Sequence, residues 1–439
     1  MTPIFSRSFN NAGRGVIALA FVLMASITTV QARDLPGSSP EQVGLAPARL
    51  TALDAAMQAE VDAKRKAGIV VLIARHGKVA HHRAYGMANI EAGKPMQPDS
   101  LFRLYSMTKP VTSVALLTLY EQGKFQLSDS LEQYIPALQD LQVYTGENAY
   151  GNMEAEIPKR KPTIEDAFRH TAGFTYGLGQ SSVDFMYQQN GISYDTALSL
   201  REMVTEKLPK MPLLYHPGEQ WVYSVSHDVQ AYLVEYFSGM PYAEYVQKTI
   251  LDPLGMTATY FGVPDKIVDR YTANYGPDGQ GGLKQIEGQD GKRPAGETGS
   301  YQRYTTIPFG GSGLSATAMD YAKFAQMLVN GGELNGARIL DTKTVKLMTT
   351  NHLPAGIGYL QPPSAGGNGY GFGVSVLVDV AASGNLGSVG QFGWAGAAST
   401  FVIMDPKQDM VAILLTQYMP SDVNIRDLWQ RLVYEAIVE

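Results

Sequence analysis

The chain has 439 residues, 45% of them hydrophobic and 17% charged, which is globular usage and excludes a disordered chain. A formal charge of −6 at pH 7 courts neither nucleic acid nor anionic lipid, and the absence of cysteine excludes disulfides, a thiolate nucleophile and cysteine-based metal sites. No Pro/Ser-rich or Gly/Ser-rich linker and no fixed-period repeat divides the sequence, so a single domain is expected over residues 33–439.

Arg7 and Arg14 precede an uncharged stretch from Val16 to Val30, and Val30-Gln31-Ala32 stands just ahead of the polar Arg33-Asp34. This reads as a secretory signal over residues 1–32, cut after Ala32. Its run of about 15 apolar residues falls short of the ~20 that cross a bilayer, so an uncleaved anchor is disfavoured. Cleavage would remove two arginines and no acid, moving the formal charge from −6 to −8. Export of a cysteine-free chain of this size points to a bacterial periplasm or exterior, with no stable membrane insertion afterwards.

Pro47 suits the first turn of a helix that continues through Leu50, Leu53, Met57 and Val61. Ile69 to Arg75, the turn His76-Gly77-Lys78 and Val79 to Tyr85 read as a hairpin. Ser399 to Met404 and Met410 to Thr416 repeat that pattern around Asp405-Pro406-Lys407-Gln408, and Ile425, Leu428, Trp429, Leu432 and Ala436 share one face of a closing helix. The expected fold is mixed α/β: an antiparallel sheet flanked by the terminal helices, built from about 40–105 and 300–437, with an inserted, mostly helical lobe over about 106–300. Tyr144 to Pro162, Tyr275 to Pro294 and Gln361 to Gly369 read as long surface loops.

The sharpest local feature is Ser106-Met107-Thr108-Lys109-Pro110. Pro110 is comfortable only in a first helical turn, and Val111, Ala115, Leu116 and Leu119 continue at helical spacing, so Ser106 sits near a helix N-terminus. Free N–H groups there favour developing negative charge. Lys109, three residues on, shares the face of Ser106, and a desolvated lysine with a lowered pKa can accept a serine proton without any histidine. Taken alone, a serine and a lysine at this spacing describe equally a capping hydroxyl and a solvated amine.

The text around it resembles the serine β-lactamase and D,D-peptidase superfamily, most strongly its class C and carboxylesterase, family VIII-like branch. The resemblance rests on Tyr85-Gly86-Met87-Ala88-Asn89, Ser106 to Pro110, His170-Thr171-Ala172-Gly173, Pro217-Gly218, Tyr223-Ser224-Val225, Gly310-Gly311-Ser312-Gly313-Leu314 and Gly371-Phe372-Gly373, in order, over roughly residues 40–437. It implies a β-lactamase/transpeptidase-like fold, with Ser106 as nucleophile and Lys109 and Tyr223 as its proton handlers. Tyr223 matches the tyrosine of a Tyr-x-Asn motif whose third position is here Val225, which removes an amide from the substrate side. Trp394-Ala395-Gly396 takes the place of Lys-Thr-Gly. An indole there offers a flat apolar wall where relatives hold a carboxylate, and it resembles the family's carboxylesterases. The resemblance also implies that the backbone amides of Ser106 and Ala397 hold the oxyanion, with Gly396 allowing close approach.

A Gly-x-Ser-x-Gly elbow is missing, the seven histidines show no metal-ligand spacing, and neighbouring His227 and Asp228 would point apart on a helix, which argues against a Ser-His-Asp triad. No cofactor is called for. The expected activity is acyl-enzyme hydrolysis of short-chain carboxylic esters, a small-molecule substrate. The alternatives are a β-lactamase or D,D-peptidase acting on lactams or peptidoglycan peptides, and a catalytically silent binding module on the same scaffold.

Overall fold

The structure, a computed structural model, describes residues 34–192, 199–287, 308–358 and 366–438. The expected signal segment lies outside them. Among the described residues no helix is long and apolar enough to cross a membrane.

The helix expected from Pro47 runs over Pro47–Asp62 (α1), with Pro47 in its first turn. The run Gly68–Arg75 forms strand β1 and Lys78–Asn89 forms β2, longer than the alternation alone suggests. Their two-residue connection, His76-Gly77, has both φ values positive, 54° and 68°, the twist that a tight hairpin demands. After Lys94–Pro95 (β3), the remaining strands of the main sheet come from the far end of the chain: Asn368–Tyr370 (β4), Ser375–Leu377 (β5), Phe392–Gly396 (β6), Thr400–Asp405 (β7) and Met410–Thr416 (β8). The sheet order is β4-β5-β6-β7-β8-β1-β2-β3, and its pairs are antiparallel.

Strand β1 sits inside this sheet, pairing Val71 with Leu414 and Leu72 with Ile413. Alternate residues face opposite sides, and both sides are covered, which is why Ile69 to Ala74 reads as an unbroken apolar run. Ile69, Val71, Ile73, Phe401, Ile403 and Leu414 pack under α1 and the closing helix Val423–Glu435 (α5), around the buried Trp429. On the other side Val70, Leu72, Val402, Val411 and Ile413 join the larger core. That core takes in helices Thr108–Glu121 (α2), Ser226–Ser238 (α3) and Ala318–Val329 (α4).

Two of the stretches read as loops contain regular structure. Val143–Glu147 pairs with Met153–Glu156, and Asn274–Pro277 with Leu283–Glu287. The inserted lobe therefore carries hairpins as well as helices. The first pair is largely exposed, whereas Asn274, Tyr275 and Gly276 of the second are buried; in neither do both strands alternate apolar with polar residues, so the period-2 signal of a half-buried hairpin is absent. The third stretch, Gln361 to Gly369, is described only from residue 366, where β4 begins two residues later.

Candidate active site

Short strand Phe102–Arg103 pairs with Ser315–Ala316 and delivers the chain to the head of α2. Tyr105 adopts φ 45°, a left-handed conformation that costs a non-glycine residue of order 1–3 kcal/mol and persists only where the surroundings impose it. A single tight turn over Tyr105–Met107 follows, and α2 begins at Thr108, so Ser106 is presented just outside the helix with Pro110 inside its first turn.

The glycine segment 310–314 lies along this helix head. Thr112 Oγ1 donates to the Gly310 carbonyl at 2.6 Å, the Leu314 amide donates to Thr108 Oγ1 at 3.0 Å, and the Leu104 amide donates to the Leu314 carbonyl at 2.9 Å. Side chains are excluded there: a Cβ on Gly310 would strike the His227 carbonyl, and one on Gly311 would come within 2.5 Å of Tyr176 Oη and 3.0 Å of Asp228 Oδ2.

Lys109 is fully buried in the first turn of α2 and donates to the Gly311 carbonyl at 2.8 Å and to Ser106 Oγ at 3.2 Å. Burial depresses its amine to about 7, against a partial opposing pull from Asp228. Tyr223 Oη donates to Ser106 Oγ at 2.5 Å, and Lys109 Nζ stands 4.4 Å from the Tyr223 ring centroid. Ser106, Lys109 and Tyr223 therefore converge, Tyr223 arriving from just ahead of α3.

What sets Tyr223 is the segment from His170 to Gly173. His170 has φ 59°, its carbonyl accepts the Val222 amide at 3.1 Å, and its Nδ1 accepts the Ser224 amide at 3.2 Å. Its ring lies 5.0 Å from that of Tyr223. Burial holds His170 and His227 well below the ordinary histidine value, so both are neutral packing groups. His227 and Asp228 do point apart: His227 Nε2 meets Ser113 Oγ at 3.3 Å, whereas Asp228 Oδ1 accepts the Gly311 amide at 2.9 Å.

The opposite wall is β6. Trp394 faces Tyr223 and Tyr370, and Gly396 lies so close to the Leu104 carbonyl that a Cβ would collide with it. Ser106, Trp221, Tyr223, Trp394, Gly396 and Ala397 line one cavity of about 420 Å³. Val225 is not part of that lining. It is 1% exposed and turned into the larger core, so the departure from Tyr-x-Asn leaves an apolar packing residue rather than a cavity wall. Of the neighbours, the sequence sets Asp228 aside as a triad member, carries Gly311 only within a motif and leaves Tyr176 unmarked. The one available signal was the glycine cluster 310–313, which marks a close backbone approach.

The family model that matches is Beta-lactamase, over residues 53–435. Protein Rv1367c of Mycobacterium tuberculosis is 32% identical over 369 residues, 82% of this chain and 88% of that protein. Esterase EstB of Burkholderia gladioli is 28% identical over 380 residues, covering 83% and 89%. Among solved structures, that of EstCE1, described as a hydrolase with promiscuous acyltransferase activity, is 27% identical and aligns with a TM-score of 0.73 over 88% of this chain and 98% of that one. The chain belongs to the β-lactamase family and is a serine hydrolase of its mixed α/β, β-lactamase/transpeptidase fold.

Proposed function

We propose that this protein is a carboxylesterase that cleaves short-chain, uncharged esters through an acyl-enzyme on Ser106. The carrying observation is the meeting of Lys109 Nζ and Tyr223 Oη on Ser106 Oγ, at 3.2 and 2.5 Å. The buried amine, lowered to about 7, is neutral in a large fraction of molecules at neutral pH and takes the Ser106 proton as Oγ attacks the ester carbonyl. The amides of Ser106 and Ala397 receive the oxyanion, a donor pair of which one member is typically worth roughly 3 kcal/mol of barrier. Tyr223 passes the proton on to the departing alkoxide, and water completes the cycle by attacking the acyl group.

Preference for an ester over a lactam is supported by the cavity wall. Trp394 stands where carboxylate-binding relatives have lysine, Trp221 and Tyr223 extend the aromatic lining beside it, and the buried Tyr370 packs against both indoles. The test is a parallel assay of the protein and its Ser106→Ala variant on 4-nitrophenyl butyrate, a chromogenic cephalosporin and a D-alanyl-D-alanine peptide. The reading expects ester turnover well above the other two and its loss in the variant. A variant that hydrolyses the ester as fast as the parent ends it, and faster cephalosporin or peptide turnover hands the site to a β-lactamase or peptidase. Export to a periplasm belongs to the same proposal, supported by the run from Val16 to Ala32, and cell fractionation with N-terminal sequencing checks it.

A further inference from the structure

Asp228 is 2% exposed, projects from the first turn of α3, and has no part in the mechanism above. Its Oδ1 accepts the Gly311 amide at 2.9 Å, and Gly311 in turn accepts Lys109 through its carbonyl at 2.8 Å. The second oxygen, Oδ2, comes within 3.0 Å of the point where a Gly311 Cβ would stand, and Tyr176 Oη within 2.5 Å of the same point. Carboxylate, glycine peptide and amine thus form one chain leading to Ser106 Oγ, with no room for a side chain between them.

We propose that Asp228 is a positioning residue for Lys109: it fixes the Gly311 peptide that aims the amine at Ser106, and it supplies the negative charge that stabilises the ammonium formed when Ser106 gives up its proton. The proposal rests on the hydrolase reading. In the step concerned, the Ser106 O–H bond breaks, its proton goes to the Lys109 lone pair, and Oγ bonds to the carbonyl carbon as the C=O π pair moves onto the carbonyl oxygen. A cation therefore appears at a fully buried amine, where an unpaired charge is expensive. Asp228 is the anion already there. The groups facing it are Lys109 from α2, Tyr176 beyond the His170 turn and Tyr242 just past α3, with His170 and His227 neutral nearby. Lys109 is the only cation in that set. Burial raises the Asp228 carboxyl to about 6 while backbone N–H groups of Gly310 and Gly311 pull it down, in keeping with a carboxylate that shares its charge state with the amine.

The test compares the parent, Asp228→Asn and Asp228→Ser by the pH dependence of two readouts: fluorophosphonate labelling of Ser106 and kcat/KM on 4-nitrophenyl butyrate. Asparagine keeps an acceptor for the Gly311 amide and removes the charge. Without the attraction of Asp228 the amine protonates less readily, so the acid limb moves down by about one pH unit, while the plateau falls about tenfold because the ammonium has lost its partner. A purely structural role would lower the plateau and leave the limb in place, and an unmoved limb in a folded D228N or D228S overturns the proposal. Should neither variant fold, carbon NMR of isotopically labelled Lys109 in the parent must show two coupled titration steps, and a single step overturns it. A parent that takes no label at Ser106 would instead sink the hydrolase reading, a distinguishable outcome.

Discussion

Trp394 stands across the cavity from Tyr223, the two ring centroids 5.9 Å apart and the planes tilted by 41°. One ring belongs to a residue that touches Ser106 Oγ; the other belongs to strand β6 on the opposite wall of the cavity. On the proposed mechanism the acyl group bonded to Ser106 lies in the cavity that both rings line, so the indole is expected to select what the cavity accepts. Trp394→Lys removes an aromatic contact worth about 0.5–1.5 kcal/mol and introduces a cation. The expected outcome is a loss of about tenfold in kcat/KM on 4-nitrophenyl butyrate, together with faster acylation by a carboxylate-bearing penicillin, read by mass spectrometry. An unchanged ratio between the two substrates would remove Trp394 from the account of specificity.

The pH dependence of the parent follows from burial of Lys109. Desolvation lowers the amine to about 7, and only the neutral amine can take the serine proton. Activity is therefore lost as pH falls through that value, and kcat/KM on a neutral ester should drop about tenfold per unit below pH 6. Rates measured from pH 5 to 9, corrected for spontaneous hydrolysis, check this. A limb near the ordinary lysine value would mean that the amine is solvated in the working enzyme.

The parts legible in the sequence are those carried by nearby residues. Ser106 and Lys109 are joined by one turn of helix, and the terminal strands and helices announce themselves by periodicity. Tyr223 was reachable only through resemblance, because among 25 tyrosines nothing local marks it. Asp228 was illegible for a different reason: the group that gives it meaning, the Gly311 amide, lies 83 residues along the chain. Val225 shows the converse error. The loss of a polar residue from a motif suggests an altered substrate contact, but the fold turns that position into the core. The hairpin within 143–156 escaped because its strands are largely exposed, and that within 274–287 because its buried residues include the polar Asn274 and Glu287, so in neither do both strands carry an apolar alternation to read.

Behind the turn that presents Ser106, Arg103 and Glu287 form an ion pair with 5% and 1% side-chain exposure, the guanidinium also donating to the Thr272 carbonyl at 2.6 Å. Arg103 is three residues ahead of Ser106, so the pair ties the hairpin 274–287 to the turn that presents the hydroxyl. Glu287→Ala leaves a buried guanidinium without its carboxylate, a change that typically costs 3–5 kcal/mol. Replacing both partners by methionine removes the two charges together and should recover most of that loss. Urea denaturation of Arg103→Met, Glu287→Met and the double variant measures the coupling, and additive losses would show that the pair contributes nothing specific.

Gly311 offers the most direct test of how tightly the site is assembled. Its conformation is open to any residue, since it is not among the positive-φ glycines, so an alanine there is opposed by neighbours alone. The added methyl meets Tyr176 Oη at 2.5 Å and the Asp228 carboxylate at 3.0 and 3.3 Å, and the peptide it displaces holds Lys109. Overpacking of this kind costs typically 1–3 kcal/mol of stability, which a core of this size tolerates. Activity should suffer more than stability, because moving the carbonyl by a few tenths of an ångström swings the amine away from a hydroxyl it meets at 3.2 Å. Gly311→Ala is therefore expected to fold, with a modest fall in melting temperature and a loss of about a hundredfold in kcat with KM little changed. Gly310→Ala, whose methyl would strike the backbone carbonyl of His227, should lose stability first. If Gly311→Ala keeps full kcat, the Gly311 peptide does not position Lys109.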